Sequence, residues 1–347
     1  MSKKEFAKLA RREPSLSLGP QHSCPGPSST RPGRADPQAP PLSRSTRPML
    51  TQSSSLRSDL FLRIADIAIA LHSEQPDFKV EVDGATKKFL VPQADPDVKV
   101  HAGWGDISRN GNGKRIFDSG ILWQLYSEDG CYRFHFTTPT LGSLPYKIAR
   151  FDTAFTTGEV LFHRPYFPSG KPLYPLDYPL DEILISILLA RGMGVEVHGC
   201  GVVDSRRMGQ LFVGKSGAGK TTMARLWEKQ AGITVLSDDR IILRRVDNTI
   251  CMYGTPWHGE ADLASPEKAP LEKLYFLAKG TENEISPLTI SEAVGRLFAC
   301  SFPPFYSHPG LDFTLGFLEE IVRAIPCHEL KFLPDERVLG LVLKKET

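Results

Sequence analysis

The stretch that most constrains this chain is "LFVGKSGAGKTT", Leu211 to Thr222. It fits G-x-x-x-x-G-K-S/T from Gly214 to Thr221, with an apolar run before it and the helix-like "TTMARLWEKQ" after it. Strand, loop and helix in that order predict an α/β domain with the loop at a strand end. Gly214, Gly217 and Gly219 let the backbone turn tightly and approach a phosphate closely, so that N–H groups and the positive end of the next helix converge on it. Lys220 supplies a point charge for the β- and γ-phosphates, and Thr221 offers a hydroxyl oxygen to the Mg²⁺ that accompanies a nucleotide. The nucleotide-binding set read from the motif is Gly214, Lys215, Ser216, Gly217, Ala218, Gly219, Lys220, Thr221 and Thr222. The bland alternative is a Gly-rich turn beside a solvated lysine, and the flanking strand and helix count against it.

At 347 residues the chain is long enough for two domains, and 41% apolar content is ordinary for globular protein. The longest apolar run, Ile183 to Ala190, is interrupted by Ser186 and flanked by Asp181, Glu182 and Arg191. It falls far short of the roughly 20 residues a membrane span needs and reads as a buried helix, so no membrane partner is expected. Residues 1–57 carry ten Lys or Arg against three acids and are crowded with Pro, Ser and Gly from Pro14 to Pro48. Such a stretch builds no core and is expected to be a disordered tail. A transit-peptide reading and a translation start near Met49 are both open for it. The rest of the chain holds 32 basic and 37 acidic residues, which argues against nucleic acid as a partner. Six cysteines are scattered without a C-x-x-C pair, the pattern of reduced thiols in a cytoplasmic protein.

Residues 58–175 alternate and turn often, predicting a β-rich N-terminal lobe. "FLRIADIAIAL" alternates along its second half, "KVEVDGATKKFLV" places Asp83-Gly84 between two runs, and "ILWQLYSEDGCYRFHF" reads as a hairpin turning at Asp129-Gly130. A proline-studded connection leads to a helix near Pro179 that ends before Gly192, and the boundary of the second domain, residues 176–347, is placed there. In that domain "VEVHGCGVVDSRRMGQLFVG" predicts two strands joined around Asp204 to Gly209. A strand ending at Asp238-Asp239 follows, then a hairpin turning at Asp247-Asn248. "LEKLYFLAKG" reads as a strand, "LTISEAVGRLF" as a helix with Thr289 and Glu292 at capping-box spacing, "LDFTLGFLEEIVRAI" as an amphipathic helix, and "HELKFLP" as a last strand.

Asp238 and Asp239 stand 17 and 18 residues after Thr221, where a strand-loop-helix-strand unit brings them beside a bound metal. Two adjacent carboxylates at a strand end diverge, so one can face the metal and the other an attacking hydroxyl. A single metal-facing acid with a solvated neighbour is the alternative. His198 lies on the strand before the loop strand, within reach of a terminal phosphate or as a structural histidine. His258 and Glu260 sit in "GTPWHGE", with Glu260 a candidate Mg²⁺ or acceptor contact and Trp257 either a packing anchor or a ligand platform. Arg240 and Arg296 are candidates to neutralise transition-state charge, with surface ion-pair residues as the preferred reading. The chain has no N-K-x-D, no H-R-D or D-F-G set and no hydrolase elbow, which disfavours GTPase switches, eukaryotic-type protein kinases and serine hydrolases.

The order "HGCGVV", hairpin, "GKSGAGKTT", then "SDD" at a strand end, over roughly Leu176 to Leu277, resembles the C-terminal domain of the HPr serine kinase/phosphorylase family and, more remotely, phosphoenolpyruvate carboxykinase. The resemblance implies a P-loop nucleotide-binding domain of that type. It also implies an ATP- and Mg²⁺-dependent kinase that moves the γ-phosphate to a hydroxyl of a protein, peptide or small molecule. On that likeness the catalytic residues are Asp238, Asp239, His198 and Lys220, with Asp238 as acceptor base. The metal set is Thr221, Asp239 and Glu260, and a homo-oligomer is implied. The family's metal-binding acid region has no clear match, and "GTPWHGE" stands roughly in its place. A nucleotide-sensing regulatory module, a carboxykinase-like enzyme and a transfer running in reverse are the competing readings.

Overall fold

A computed structural model describes residues 59–107, 113–120, 122–128, 130–142 and 144–343. The expected tail, residues 1–57, lies outside them, as does Asp129 of the expected hairpin turn. The described residues group as one compact unit, a mixed α/β structure carried by two large mixed sheets.

The first sheet contains β1 (Leu60–Ile64), β2 (Ile67–His72), β3 (Leu90–Val91), β4 (Val98–Gly105), β5 (Lys114–Asp118), β6 (Trp123–Glu128), β7 (Cys131–Phe136), β8 (Lys147–Asp152) and β9 (Thr157–His163). Their spatial order is β3-β1-β2-β4-β9-β8-β7-β6-β5, parallel only at β2–β4 and β4–β9. Alternation drives it: Val98 and Val100 are buried while Lys99 and His101 between and beyond them are exposed. The β6–β7 hairpin forms as expected, pairing Trp123 with Phe136 and Glu128 with Cys131.

Two segments depart from expectation. "FLRIADIAIAL" is a hairpin, β1–β2, turning at Ala65 and Asp66 with φ of 50 and 60°. Left-handed non-glycine residues cost about 1–2 kcal/mol each. Here distant contacts offset that cost, since the Asp66 carboxylate accepts from the Tyr253 hydroxyl at 2.7 Å and from Lys268 Nζ at 2.6 Å. In "KVEVDGATKKFLV" the second run coils instead of extending. Gly84–Phe89 is a 3-10 turn that starts at a left-handed Gly84 and carries Phe89 into the core, leaving Leu90–Val91 as a two-residue strand.

Lys147 on β8 is fully buried, and its ammonium donates to the carboxylate of Asp177 and, at 3.0 Å, to that residue's carbonyl. It lies 4.6 Å from the centre of the Phe136 ring, so one buried cation fastens the proline-rich connection to the sheet. Helix α1 (Leu180–Leu188) follows with Asp181 and Glu182 in its first turn. Its Leu180, Leu184 and Ile185 share a core with Leu62 and Phe162 of the first sheet and Tyr253 and Trp257 beyond it.

The remaining elements are β10 (Val195–Val203), β11 (Gly209–Val213), α2 (Lys220–Glu228), β12 (Thr234–Ser237), β13 (Arg240–Val246), β14 (Thr249–Tyr253), β15 (Lys268–Lys279), β16 (Glu284–Pro287), α3 (Ile290–Phe298), α4 (His308–Ala324), β17 (Cys327–Phe332) and α5 (Arg337–Leu343). The second sheet runs β11-β10-β13-β14-β15-β17-β16, with β12 also on β10. Parallel pairing of β11 with β15 closes a ring through β10, β13, β14, β15 and β11. Helix α3 begins with the expected capping box between Thr289 and Glu292. Helices α3 and α4 cover one face, packing Leu297 and Leu318 on Val195, Val197 and Leu243. Helices α2 and α5 cover the other, packing Met223, Trp227 and Val338 on Cys200 and Phe212. No helix among the described residues is long and apolar enough to cross a membrane.

Candidate functional site

Strand β11 delivers the chain into the Gly214–Gly219 loop from a position held on both edges, because Val213 pairs with Gly199 on β10 and with Phe276 on β15. A Cβ at Gly214 would stand 2.7 Å from the Ala218 Cβ, and Gly217 and Gly219 take φ of 80 and 106°. The backbone path therefore needs glycine at all three positions. Lys215, Ser216 and Gly217 are exposed, Ala218, Gly219, Thr221 and Thr222 are half-buried, and Lys220 is 6% exposed. Helix α2 starts at Gly219 without a side-chain cap, which leaves its first-turn N–H groups facing the loop. Lys220 Nζ folds back to donate to the carbonyls of Gly214 at 2.7 Å and Lys215 at 3.1 Å, and burial lowers its pKa. Carbonyl dipoles are weaker partners for an ammonium than an anion, so the loop is built to exchange them for one.

The "SDD" corner between β12 and β13 is shaped by Ser237. Its Oγ accepts from the N–H groups of Asp239 (3.2 Å) and Arg240 (3.3 Å) and donates to the carbonyl of Trp257 (3.2 Å). The two carboxylates diverge from there into different environments. Asp238 is 1% exposed, and its oxygens accept from the backbone N–H groups of Gly259 at 2.8 Å and Ala261 at 3.0 Å. Asp239 is 26% exposed, and its Oδ1 lies 3.1 Å from His198 Nε2 and 2.9 Å from Arg240 Nη1. Strand register brings these together: His198 on β10 faces Arg240 on β13, and the Gly199 N–H donates to the Asp239 carbonyl at 3.1 Å.

Arg240 is half-buried and meets three carboxylates, which corrects its reading as a simple surface ion pair. Its Nε lies 3.1 Å from Glu182 and 3.3 Å from Glu196, and its guanidinium stands 4.3 Å from the Phe302 ring centre. Burial opposes its charge most strongly, but Glu182, Asp239 and Glu196 together raise its pKa. Glu196 is fully buried and accepts from Ser186 Oγ at 2.5 Å; burial first, and Glu182 next, push its pKa well up. The expectation missed Glu182, Glu196 and Ser237. Glu196 had a signal, since it shares the polar side of the strand with His198 while Val195 and Val197 alternate to the other.

The remaining candidates fall nearby or elsewhere. Glu260 is exposed in the loop that Asp238 holds, and its carbonyl accepts from Arg225 on α2 at 3.3 Å. His258 Nδ1 lies 3.2 Å from Asp262. Trp257 is a packing anchor, 2% exposed, with its indole N–H donating to Asp181 at 2.9 Å. Arg296 pairs with Glu329 at 2.5 Å. Among the described residues no group of three or more His, Cys, Asp or Glu is placed to hold a metal.

No protein-family model and no curated protein matches the sequence. Among solved structures, the HPr(Ser) kinase/phosphatase from Coxiella burnetii is similar at 12% identity and a TM-score of 0.25, covering 42% of this chain and 85% of that one. At that score the likeness supports no inference about activity.

Proposed function

We propose that the chain is a P-loop phosphotransferase of the HPr kinase type, moving the γ-phosphate of ATP to a hydroxyl acceptor. The observation that carries this reading is the partly exposed Asp239–His198 pair, 3.1 Å apart, with His198 on β10, the neighbour of the loop strand β11, and Asp239 at the β12–β13 corner. ATP and Mg²⁺ fit the residues present: the Gly214 turn admits no Cβ, the first turn of α2 lacks a side-chain cap, and Lys220 is held by carbonyls alone among its hydrogen-bond partners. Thr221 would hold the cation, which neutralises phosphate charge when bound. Lys220 would turn from its two carbonyls to the phosphates. In the transfer, the acceptor oxygen bonds to the γ-phosphorus, the bond from that phosphorus to the β,γ-bridging oxygen breaks, and ADP leaves. The acceptor proton passes to Asp239, the acid beside His198.

This moves to Asp239 the base role that the expectation gave to Asp238. Asp238, with both oxygens engaged by backbone N–H groups, holds the "WHGEA" loop in place and is poorly suited to take a proton.

The test is transfer from γ-phosphate-labelled ATP with Mg²⁺ into protein, peptide and metabolite fractions of a cell extract. Label moving with the unaltered chain and not with Asp239→Asn or Lys220→Met supports the reading. ATP binding without any transfer would overturn it in favour of a nucleotide sensor.

A further inference from the structure

Buried charge behind the candidate site is arranged for a purpose that stability alone does not explain. Three carboxylates from three parts of the fold meet one guanidinium: Glu182 of α1, Glu196 of β10 and Asp239 at the β12–β13 corner all contact Arg240. A well-packed apolar cluster would serve stability as well or better than so many half-buried polar groups. The geometry is also directional. Nε of Arg240 faces Glu182 and Glu196, while Nη1 reaches forward to Asp239 Oδ1, the same oxygen that His198 Nε2 approaches. Phe302 covers the guanidinium plane, and the segment holding it is tied to β10 by Phe302 N–H to the Glu196 carbonyl at 3.1 Å and His198 N–H to the Cys300 carbonyl at 2.7 Å. The Thr255 hydroxyl, donating to the Arg240 carbonyl at 2.7 Å, fixes the backbone.

We infer that Arg240 is a positioning residue: anchored from behind by Glu182 and Glu196, its guanidinium fixes the Asp239 carboxylate against His198. This rests on the kinase reading for its consequence in catalysis but not for its geometry. A rigid fork does what an ammonium cannot, since a lysine at 240 keeps the charge and loses the fixed angle between the rearward and forward contacts. Helix α1, which belongs to the core shared with the first sheet, thereby reaches Arg240 directly through Glu182 and indirectly through Ser186, which donates to Glu196.

The experiment compares Arg240→Lys, Glu182→Gln and Asp239→Asn with the unaltered chain by two readouts. The first is the imidazole nitrogen signals of His198 at one fixed pH, assigned with His198→Gln. In the unaltered chain Asp239 holds one tautomer, protonated at Nε2. Arg240→Lys is expected to average the two tautomers as Asp239→Asn does, and Glu182→Gln to move the signals the same way by less. The second is phosphate transfer, where Arg240→Lys is expected to lower kcat about tenfold or more with KM for ATP unchanged. His198 signals in Arg240→Lys identical to those of the unaltered chain would overturn the inference, as would a raised KM with kcat intact. Signals unmoved by Glu182→Gln would overturn the anchoring from α1. If the unaltered chain transfers no phosphate, the kinase reading falls, and the His198 signals still decide the role of Arg240. Should Arg240→Lys fail to fold, Glu182→Gln carries the same comparison.

Discussion

Among the described residues two lysines are buried, one on the first sheet and one at the start of α2 beside the second, and they are buried differently. Lys147 in the first sheet donates to a carboxylate and lies against aromatic rings, so its charge is matched within the fold. Lys220 at the start of α2 donates only to two loop carbonyls among its hydrogen bonds, and burial works against its charge. A cation satisfied by its own protein has a structural task. A cation left with weak dipoles at the mouth of a glycine loop is stored for a partner from outside, and that contrast separates scaffold from site without reference to any relative.

The contrast breaks most easily at the scaffold end. Lys147→Met removes the cation from its aromatic cage while Asp177, nearly half exposed, keeps its water, and should lower stability by about 1.5–3 kcal/mol, read from thermal and urea unfolding. An unchanged melting temperature would mean the cage holds without its cation. Lys220→Met should do the opposite, leaving unfolding within about 1 kcal/mol of the unaltered chain while phosphate transfer falls roughly 10²–10³-fold. Asp238→Asn sharpens the distinction inside the site: one loop N–H loses its acceptor, so stability should fall by about 1–3 kcal/mol with nucleotide affinity kept, measured by calorimetry. Thr289→Ala, far from the loop, should cost about 1 kcal/mol through its helix cap and leave transfer untouched.

The smallest effect at neutral pH belongs to His135 of β7. Burial, with the Arg133 charge adding to it, lowers its pKa from 6.5 to about 4. The unfolded chain therefore binds this proton first as pH falls, and stability drops between pH 6.5 and 4. In His135→Phe that part of the decline should vanish from a plot of melting temperature against pH, with no change at pH 7.

Local signals were legible wherever neighbours in sequence decide the structure. The glycine loop, the Asp247-Asn248 hairpin and the Thr289 capping box all formed as read. What the sequence concealed depends on distant partners. The Ala65-Asp66 turn looks like the middle of a strand until Tyr253 and Lys268 arrive to hold Asp66. Arg240 looks like a surface cation until Glu182, 58 residues earlier, packs beside it. The unequal settings of Asp238 and Asp239 follow from a loop that begins some twenty residues later, and neither β16 nor α5 carried a pattern strong enough to be noticed.

The parallel pairing of β11 with β15, and the 2.6 Å that would separate a Cβ at Gly219 from the Phe332 ring, bear on how the chain is made. A ribosome emits residues 214–222 long before it emits either support. Until Phe276 has emerged the loop strand lacks one edge, and until Phe332 has emerged the first turn of α2 lacks its floor. During synthesis, then, the loop is present as sequence for more than a hundred residues before it is present as shape.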